Sequence, residues 1–112
     1  ADLPEVAAFL EEAFPNQFFV QFSSPHMLEI MHPEANKGSA ARHLWERMGI
    51  RAENVYVAGN GTNDRQLLQS AFPTCAPADA CPAILSIARH ILPEYKQHAI
   101  AHLIYQMEKG TL

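Results

Sequence analysis

The sequence has few cysteines, no cluster of basic residues and no long apolar run. Its 112 residues include two cysteines, Cys75 and Cys81, whose spacing matches no zinc or redox motif, so a reducing cytoplasm is the expected location. The eight lysines and arginines are scattered and outnumbered by twelve acids, which argues against a nucleic-acid partner. The apolar stretches are far too short to cross a membrane, so no membrane partner is expected.

What the sequence does contain is enough apolar material for a core. Hydrophobic residues make up 48% of the chain, and the length suits one domain or one piece of a larger one. Asp2 followed by Glu5 predicts a helix start, with apolar residues then recurring at helical spacing as far as Ala13. The aromatic and β-branched run Phe18 to Phe22 and the run Met27 to Met31 predict two antiparallel strands.

The remainder predicts alternating helices and strands. A helix is expected from about Lys37 to Met48, then a strand from Val55 to Ala58, whose lack of polar alternation is typical of a parallel sheet covered on both faces. Further along we expect, in order, a short helix from 64 to 70, a weak strand from 72 to 76, a helix starting at Pro82 and ending at Ile91, and a last helix from 94 to 108. The helix from Lys37 to Met48 is expected to bury Ala41, Leu44, Trp45 and Met48. The last helix is expected to bury Ile100, Leu103, Ile104 and Met107. This order is half of a doubly wound α/β sheet.

A polar turn follows the predicted buried strand. It reads Gly59 to Asp64 and offers amides, a hydroxyl, a carboxylate and backbone N–H groups. Ligands of open α/β sheets sit at the carboxyl ends of parallel strands, so Lys37, at the start of the preceding helix, is expected to converge with this turn on an anion. Two plainer interpretations stay open: Lys37 is a solvated helix-start residue, and the turn is an ordinary Asn-Gly turn in which Asp64 caps a helix.

These motifs, in this order, resemble the haloacid dehalogenase (HAD) superfamily of phosphohydrolases, in its Cof-type and sucrose-phosphatase-like branch with a large α/β cap. Asn36-Lys37-Gly38 resembles the passage that carries the family's lysine, and Gly59 to Leu68 resembles its acidic loop, usually G-D-x-x-N-D before a helix. The resemblance implies a partial Rossmann-like core, parallel strands with flanking helices, preceded by the last helix and two strands of the cap. Residues 1–31 would be the cap remnant and residues 32–112 the C-terminal half of the core.

The resemblance also implies a chemistry. An aspartate would attack a small phosphorylated metabolite, such as a sugar phosphate, to form an aspartyl-phosphate, with Mg²⁺ bridging carboxylates and phosphate. Lys37 and Asp64 would be the catalytic residues of this segment, Lys37 and Asn63 would bind phosphate, and Asn60 and Asp64 would be metal ligands.

The chain departs from the family pattern twice. It contains no D-x-D sequence, where the family has its nucleophile, and Asn60 stands where the family has an acidic metal ligand. We therefore expect the C-terminal part of a longer enzyme, inactive as a 112-residue segment. The alternative is a non-catalytic HAD-like module that binds phosphate or a protein. The missing N-terminal half would leave the strand Val55 to Ala58 with a bare edge, so either that half or a homo-oligomer is expected to cover it.

Overall fold

The computed structural model describes residues 2–70 and 73–112, and these fold into two sheets with flanking helices. The first sheet is an antiparallel hairpin and the second has three parallel strands in the order β3-β4-β5. In chain order the elements are α1 (Leu3–Ala13), β1 (Phe19–Ser24), β2 (Met27–Met31), α2 (Lys37–Arg47), β3 (Val57–Ala58), α3 (Arg65–Leu68), β4 (Thr74–Pro77), α4 (Pro82–Leu85), β5 (His90–Leu92) and α5 (Ala99–Lys109). The α/β class and the parallel sheet predicted from the sequence are confirmed.

The N-terminal helix and hairpin form as predicted, except that β1 extends to Ser24 instead of ending at Phe22. The Asp2 carboxylate accepts a hydrogen bond from the Glu5 backbone N–H at 2.8 Å and so caps α1. Strands β1 and β2 pair antiparallel, with Gln21 directly opposite Glu29, and α1 packs on both strands. Residues directly opposite each other share one face of a sheet. The hairpin therefore presents the Gln21 and Glu29 side chains together on one face.

The parallel sheet is short and ends at β3. This strand pairs with β4, where Val57 lies opposite Thr74, and no strand among residues 2–70 and 73–112 pairs with its other edge. The predicted strand Val55 to Ala58 is thus two residues long in the structure. Of the strand predicted at 72–76, Phe72 lies outside the described residues, and β4 itself covers Thr74–Pro77.

The helix predicted to run from Pro82 to Ile91 is wrong in its second half. Pro82 does begin α4, but the helix ends at Leu85 and the chain returns as β5. The Arg89 backbone N–H donates to both the carbonyl and the hydroxyl of Thr74, each at 3.0 Å, which draws this segment to the edge of β4. The apolar spacing of this segment fits a helix, but its pairing with β4 makes it a strand.

The last helix also begins later than predicted. Residues Tyr95–Gln97 form a 3₁₀ turn, and α5 starts only at Ala99. His98 separates the two with a left-handed backbone, at φ 61°, which an α-helix does not continue through. None of the helices in the described ranges is long and apolar enough to cross a membrane.

Helices cover both faces of the parallel sheet. On one face Trp45 of α2 packs against Val57, and residues of α3 and α4 surround Ala76. On the other face Leu103 of α5 packs with Cys75 and Leu92. The core is therefore built on β4, with β3 as one boundary.

Several apolar residues expected in the core are exposed instead. Trp45 and Leu103 are buried, but exposed fractions between 41% and 63% are found for Leu44, Met48, Ile100, Ile104 and Met107. Periodicity predicted α2 and most of α5, but it gave each helix too wide a buried face, because α2 and α5 extend over a sheet that stops at β3.

Candidate active site

Asp64 is the centre of the polar turn that follows β3. It is only 7% exposed, and its Oδ2 accepts hydrogen bonds from the backbone N–H groups of Asn60 at 2.9 Å and Gly61 at 3.2 Å. Its Oδ1 accepts a hydrogen bond from Lys37 Nζ, which forms an ion pair with it. The structure therefore brings Lys37 to the turn at the carboxyl end of β3.

The surroundings keep Asp64 ionised. Burial by itself would raise the pKa of this carboxyl, but the hydrogen bond from Lys37, those from Asn60 and Gly61, and the charge of Lys37 outweigh it and hold the pKa below its ordinary value. The Lys37 side chain is 51% exposed, so it is accessible from solvent while its ammonium is anchored on Asp64.

Two glycines let the elements approach closely enough for this contact. A Cβ on Gly38 would lie 2.4 Å from the backbone oxygen of Gln66, so the first turn of α2 rests directly on α3. A Cβ on Gly59 would lie 2.5 Å from the Asp64 Cβ. Asn36 caps the N-terminus of α2, and its side chain accepts a hydrogen bond from the Ser39 backbone N–H at 2.9 Å.

The two asparagines of the turn occupy different surroundings. Asn60 is exposed, its carbonyl accepts a hydrogen bond from the Cys81 N–H at 2.9 Å, and it lines a pocket of about 230 Å³ together with Asp64. Asn63 is half-buried, and its Oδ1 would lie 3.0 Å from a Cβ on Gly61. Both residues thus lie on the turn that holds Asp64, and neither asparagine side chain is hydrogen-bonded to another group of this turn.

An open cleft of about 870 Å³ lies between the hairpin and α2, and Lys37 is part of its lining. Gln21 and Glu29 line the same cleft, and Gln21 Nε2 donates to Glu29 Oε2 at 3.1 Å. Sequence reasoning missed this pair. The available signal was a single polar residue within each predicted strand, among apolar neighbours.

The described residues do not by themselves fit a magnesium ion. Mg²⁺ takes about six oxygen ligands in near-octahedral geometry, usually including one or two carboxylates. Within residues 2–70 and 73–112, no three His, Cys, Asp or Glu side chains come close enough to hold a metal ion. The Asp64 oxygens already accept three hydrogen bonds, and Asn60 adds only a neutral amide oxygen. Any such ion would need carboxylates from outside these residues.

Comparison with known proteins gives one consistent family. The sequence profile described as "haloacid dehalogenase-like hydrolase" matches residues 1–104. The putative phosphatase YxeH of Bacillus subtilis is 34% identical over 85 residues, which cover 76% of this chain and 32% of that protein. The HMP-PP phosphatase of Cronobacter sakazakii is 28% identical over 104 residues, which cover 91% of this chain and 38% of that protein. The chain thus spans about a third of the length of these relatives, or slightly more.

Solved structures have the same fold. A haloacid dehalogenase-like hydrolase from B. subtilis superposes with a TM-score of 0.79 at 25% identity, covering 89% of this chain and 35% of that one. The HAD subclass IIB sugar phosphatase BT4131 superposes with a TM-score of 0.80 at 16% identity, covering 97% of this chain and 41% of that one.

Proposed function

Because the chain belongs to the haloacid dehalogenase-like hydrolase family, we propose that it is the C-terminal part of a phosphatase that hydrolyses small phosphorylated metabolites, sugar phosphates among them. The observation that carries this proposal is the half-exposed Lys37 side chain, whose ammonium is held by the buried Asp64 carboxylate at the carboxyl end of a parallel strand. An ammonium fixed in this way is already oriented when an anion arrives, so little reorganisation is needed on binding.

Each residue of the site has a role in this proposal. Lys37 contributes the positive charge for a phosphate oxygen, Asn63 donates a hydrogen bond from its amide, and Asp64 keeps Lys37 in place. The low pKa of Asp64 supports its part, because the carboxylate then stays ionised across the physiological range.

The nucleophile and the metal require more polypeptide than this chain. We propose that the complete protein uses an aspartate nucleophile and Mg²⁺, both depending on carboxylates outside these residues, and that the 112-residue segment alone is inactive. Residues 1–31 are then the remnant of a cap and residues 32–112 the C-terminal half of the core. The missing half, or a second copy of the chain, would add a strand at the bare edge of β3. Cys75 and Cys81 are both free thiols, in keeping with the cytoplasmic location that we propose.

Phosphate binding is the direct test of the site. Titration of the isotopically labelled chain with orthophosphate should shift the backbone amides of residues 60–64 in NMR spectra. Lys37→Met should abolish these shifts, whereas Lys96→Met, which removes a charge from an exposed 3₁₀ turn, should leave them unchanged. Equal shifts in both variants would refute the role of Lys37.

Turnover tests the inactivity of the segment. The chain should not hydrolyse p-nitrophenyl phosphate with or without Mg²⁺, because its sequence contains no D-x-D motif, where the resembled family has its nucleophile. Hydrolysis that requires Mg²⁺ and disappears in Lys37→Met would show that the 112 residues form a complete active site.

A non-catalytic module is the second candidate, and the observation favouring it is Asn60. A neutral amide at this position lacks the negative charge that attracts a hard cation. In the complete protein, Asn60→Asp should then create metal-dependent hydrolysis that the natural sequence lacks. If the natural sequence already hydrolyses phosphate esters, the module interpretation fails.

A further inference from the structure

Asn60 is the one asparagine of the sequence that a glycine follows. Asparagine is a labile residue, because the backbone nitrogen of the next residue can attack the carbon of its side-chain amide. The two groups belong to adjacent residues, so the attack is intramolecular, and glycine has no side chain that obstructs it. The Asn60–Gly61 pair is therefore the part of this sequence most prone to the reaction.

The fold leaves this pair accessible. Asn60 is exposed directly after β3, and its side chain is not hydrogen-bonded to another group of the turn. Among the described residues, and apart from those adjoining Gly61, the one atom near the position of a Gly61 Cβ is the Asn63 Oδ1, at 3.0 Å. The Gly61 nitrogen and the Asn60 side chain can thus approach each other without displacing the core.

Two hydrogen bonds of the Asn60–Gly61 peptide group govern the attack. The nitrogen attacks once it has lost its proton, and the negative charge then spreads to the carbonyl oxygen of Asn60. That oxygen accepts a hydrogen bond from the Cys81 N–H at 2.9 Å, which stabilises the charge. The Gly61 N–H donates to Asp64 Oδ2 at 3.2 Å, and when this bond opens, Asp64 keeps its bonds from Asn60 and Lys37. Opening one long hydrogen bond is therefore the local change that frees the nitrogen.

We propose that Asn60 is a self-modification site, at which the chain converts its own asparagine into an acidic residue. The Gly61 N–H loses its proton to hydroxide, the nitrogen bonds to the side-chain carbon of Asn60, and the amide nitrogen leaves as ammonia after taking a proton from water. Water then adds to the cyclic imide and breaks one of its two ring C–N bonds. Cleavage at one carbonyl gives aspartate with the natural backbone, and cleavage at the other gives isoaspartate, whose backbone is longer by a methylene.

The aspartate product changes the charge of the candidate active site. Asn60 lines the pocket of about 230 Å³ together with Asp64. The described residues do not fit a magnesium ion as they stand, and the family has an acidic residue where this chain has Asn60. The conversion places a carboxylate at that position and so supplies the negative charge that a hard cation requires. The conversion itself does not depend on the proposed phosphatase function, since it needs only Asn60, Gly61 and water.

Peptide mapping of the aged chain by mass spectrometry tests the proposal. The purified chain is incubated at mildly alkaline pH, folded in buffer and unfolded in urea, until half of Asn60 has converted in the unfolded sample. In the folded sample, aspartate and isoaspartate at position 60 should by then exceed their level in a sample frozen at the start, with release of ammonia. Asn54 is also exposed but precedes Val55, whose branched side chain obstructs the attack, so it should stay unconverted.

Gly61→Ala is the matched variant. The added Cβ meets only the end of the Asn63 side chain, and the backbone φ of −119° at Gly61 suits any residue, so the fold should be retained, as an unchanged urea midpoint would verify. Because the methyl group obstructs the attack, conversion of Asn60 should slow by about tenfold. The Asn60→Asp chain is the chromatographic standard for the aspartate product.

The outcomes separate this proposal from the phosphatase function. If Asn60 stays intact in the folded sample while the unfolded sample converts, the turn protects the residue and the proposal is overturned. Equal conversion of Asn54 and Asn60 would refute the part played by Gly61. If isoaspartate is the sole product, the carboxylate does not arise where the family has its acid, which also overturns the proposal. Phosphate binding through Lys37 is measured separately and is independent of each of these results.

Discussion

Replacing Asp64 with asparagine removes one charge from the site and preserves the shape of the side chain. The natural carboxylate accepts hydrogen bonds from Lys37 and from two backbone N–H groups, and it is almost entirely buried. In Asp64→Asn one oxygen becomes an NH₂ group, so either Lys37 or the backbone pair loses its acceptor. A hydrogen bond to a charged group contributes about 1.5 to 3 kcal/mol. Because Lys37 is half-exposed and recovers water, we expect the free energy of unfolding to fall by about 2 kcal/mol at pH 7.

Urea unfolding measures this loss directly. Trp45, the single tryptophan, is 7% exposed, so its fluorescence reports the loss of the core. The midpoint should move to lower urea with the slope unchanged. The control is Asp79→Asn, since Asp79 is exposed and accepts one hydrogen bond, from the Tyr95 N–H at 3.1 Å. It should cost about 0.5 kcal/mol or less.

The pH dependence supplies a second measurement of the same pair. A carboxyl whose pKa is lower in the folded chain stabilises the fold above its unfolded pKa, near 3.8, and that contribution is lost as the pH falls through the lower folded value. The stability difference between the natural chain and Asp64→Asn should therefore be constant above about pH 5 and shrink below about pH 4. A variant as stable as the natural chain at pH 7, or a difference that persists unchanged at low pH, would refute the ion pair as described.

Three further perturbations test the packing around the site. Gly38→Ala should lower the free energy of unfolding by about 1 to 3 kcal/mol in urea titrations, because the added Cβ meets the backbone oxygen of Gln66, and a neutral result would mean that α2 does not rest on α3. Leu103→Ala should lower the free energy of unfolding by about 2 to 4 kcal/mol in the same measurement, since the side chain is 6% exposed. Ile104→Ala is the control, and because Ile104 is 52% exposed, it should lower that free energy by less than about 1 kcal/mol. Similar losses in the two variants would contradict the assigned buried face of α5. In hydrogen exchange at low protein concentration, the Ala58 amide, which points to the bare edge of β3, should exchange faster than the amides of Val57 and Gly59, whose N–H groups donate to the carbonyls of Pro73 and Cys75. Equal protection would show that something covers the edge.

The hairpin and the polar turn could be predicted because their signals are local. Two aromatic, β-branched or apolar runs separated by a few polar residues are enough to give two paired strands. The bounds predicted for β2, Met27–Met31, match the structure, whereas β1 continues to Ser24. Lys37 and Asp64 were singled out as a pair because the turn that contains Asp64 follows a strand-like segment of an α/β pattern, where ligands bind, and Lys37 opens the preceding helix.

The missed features depend on contacts between distant segments. Strand β5 exists because it pairs with β4, and three residues of strand carry no periodicity of their own. The pairing of Gln21 with Glu29 depends on hairpin register, and the need for glycine at position 38 depends on how closely α2 approaches α3. Ile100 and Ile104 were predicted to be buried because an apolar helix face indicates that something covers it, without indicating which polypeptide does so.

The segment between β2 and α2 connects the hairpin, which forms one wall of the cleft, to the helix that carries the Lys37 charge. Residues 32–36 are irregular, and apart from the bond from the Ala40 N–H to the Asn36 carbonyl at the start of α2, their described backbone hydrogen bonds, such as Ala35 N–H to the His32 carbonyl at 2.9 Å, stay within the segment. The contact of Gly38 with α3 holds the helix start on the far side of this joint. If the hairpin rotated relative to α2, the change of backbone conformation would be confined to these few residues. The entrance of the cleft would then widen or narrow while the Lys37 ammonium stayed in place. Stiffening the joint would then change how quickly an anion enters and leaves, with little change in how strongly Lys37 attracts it.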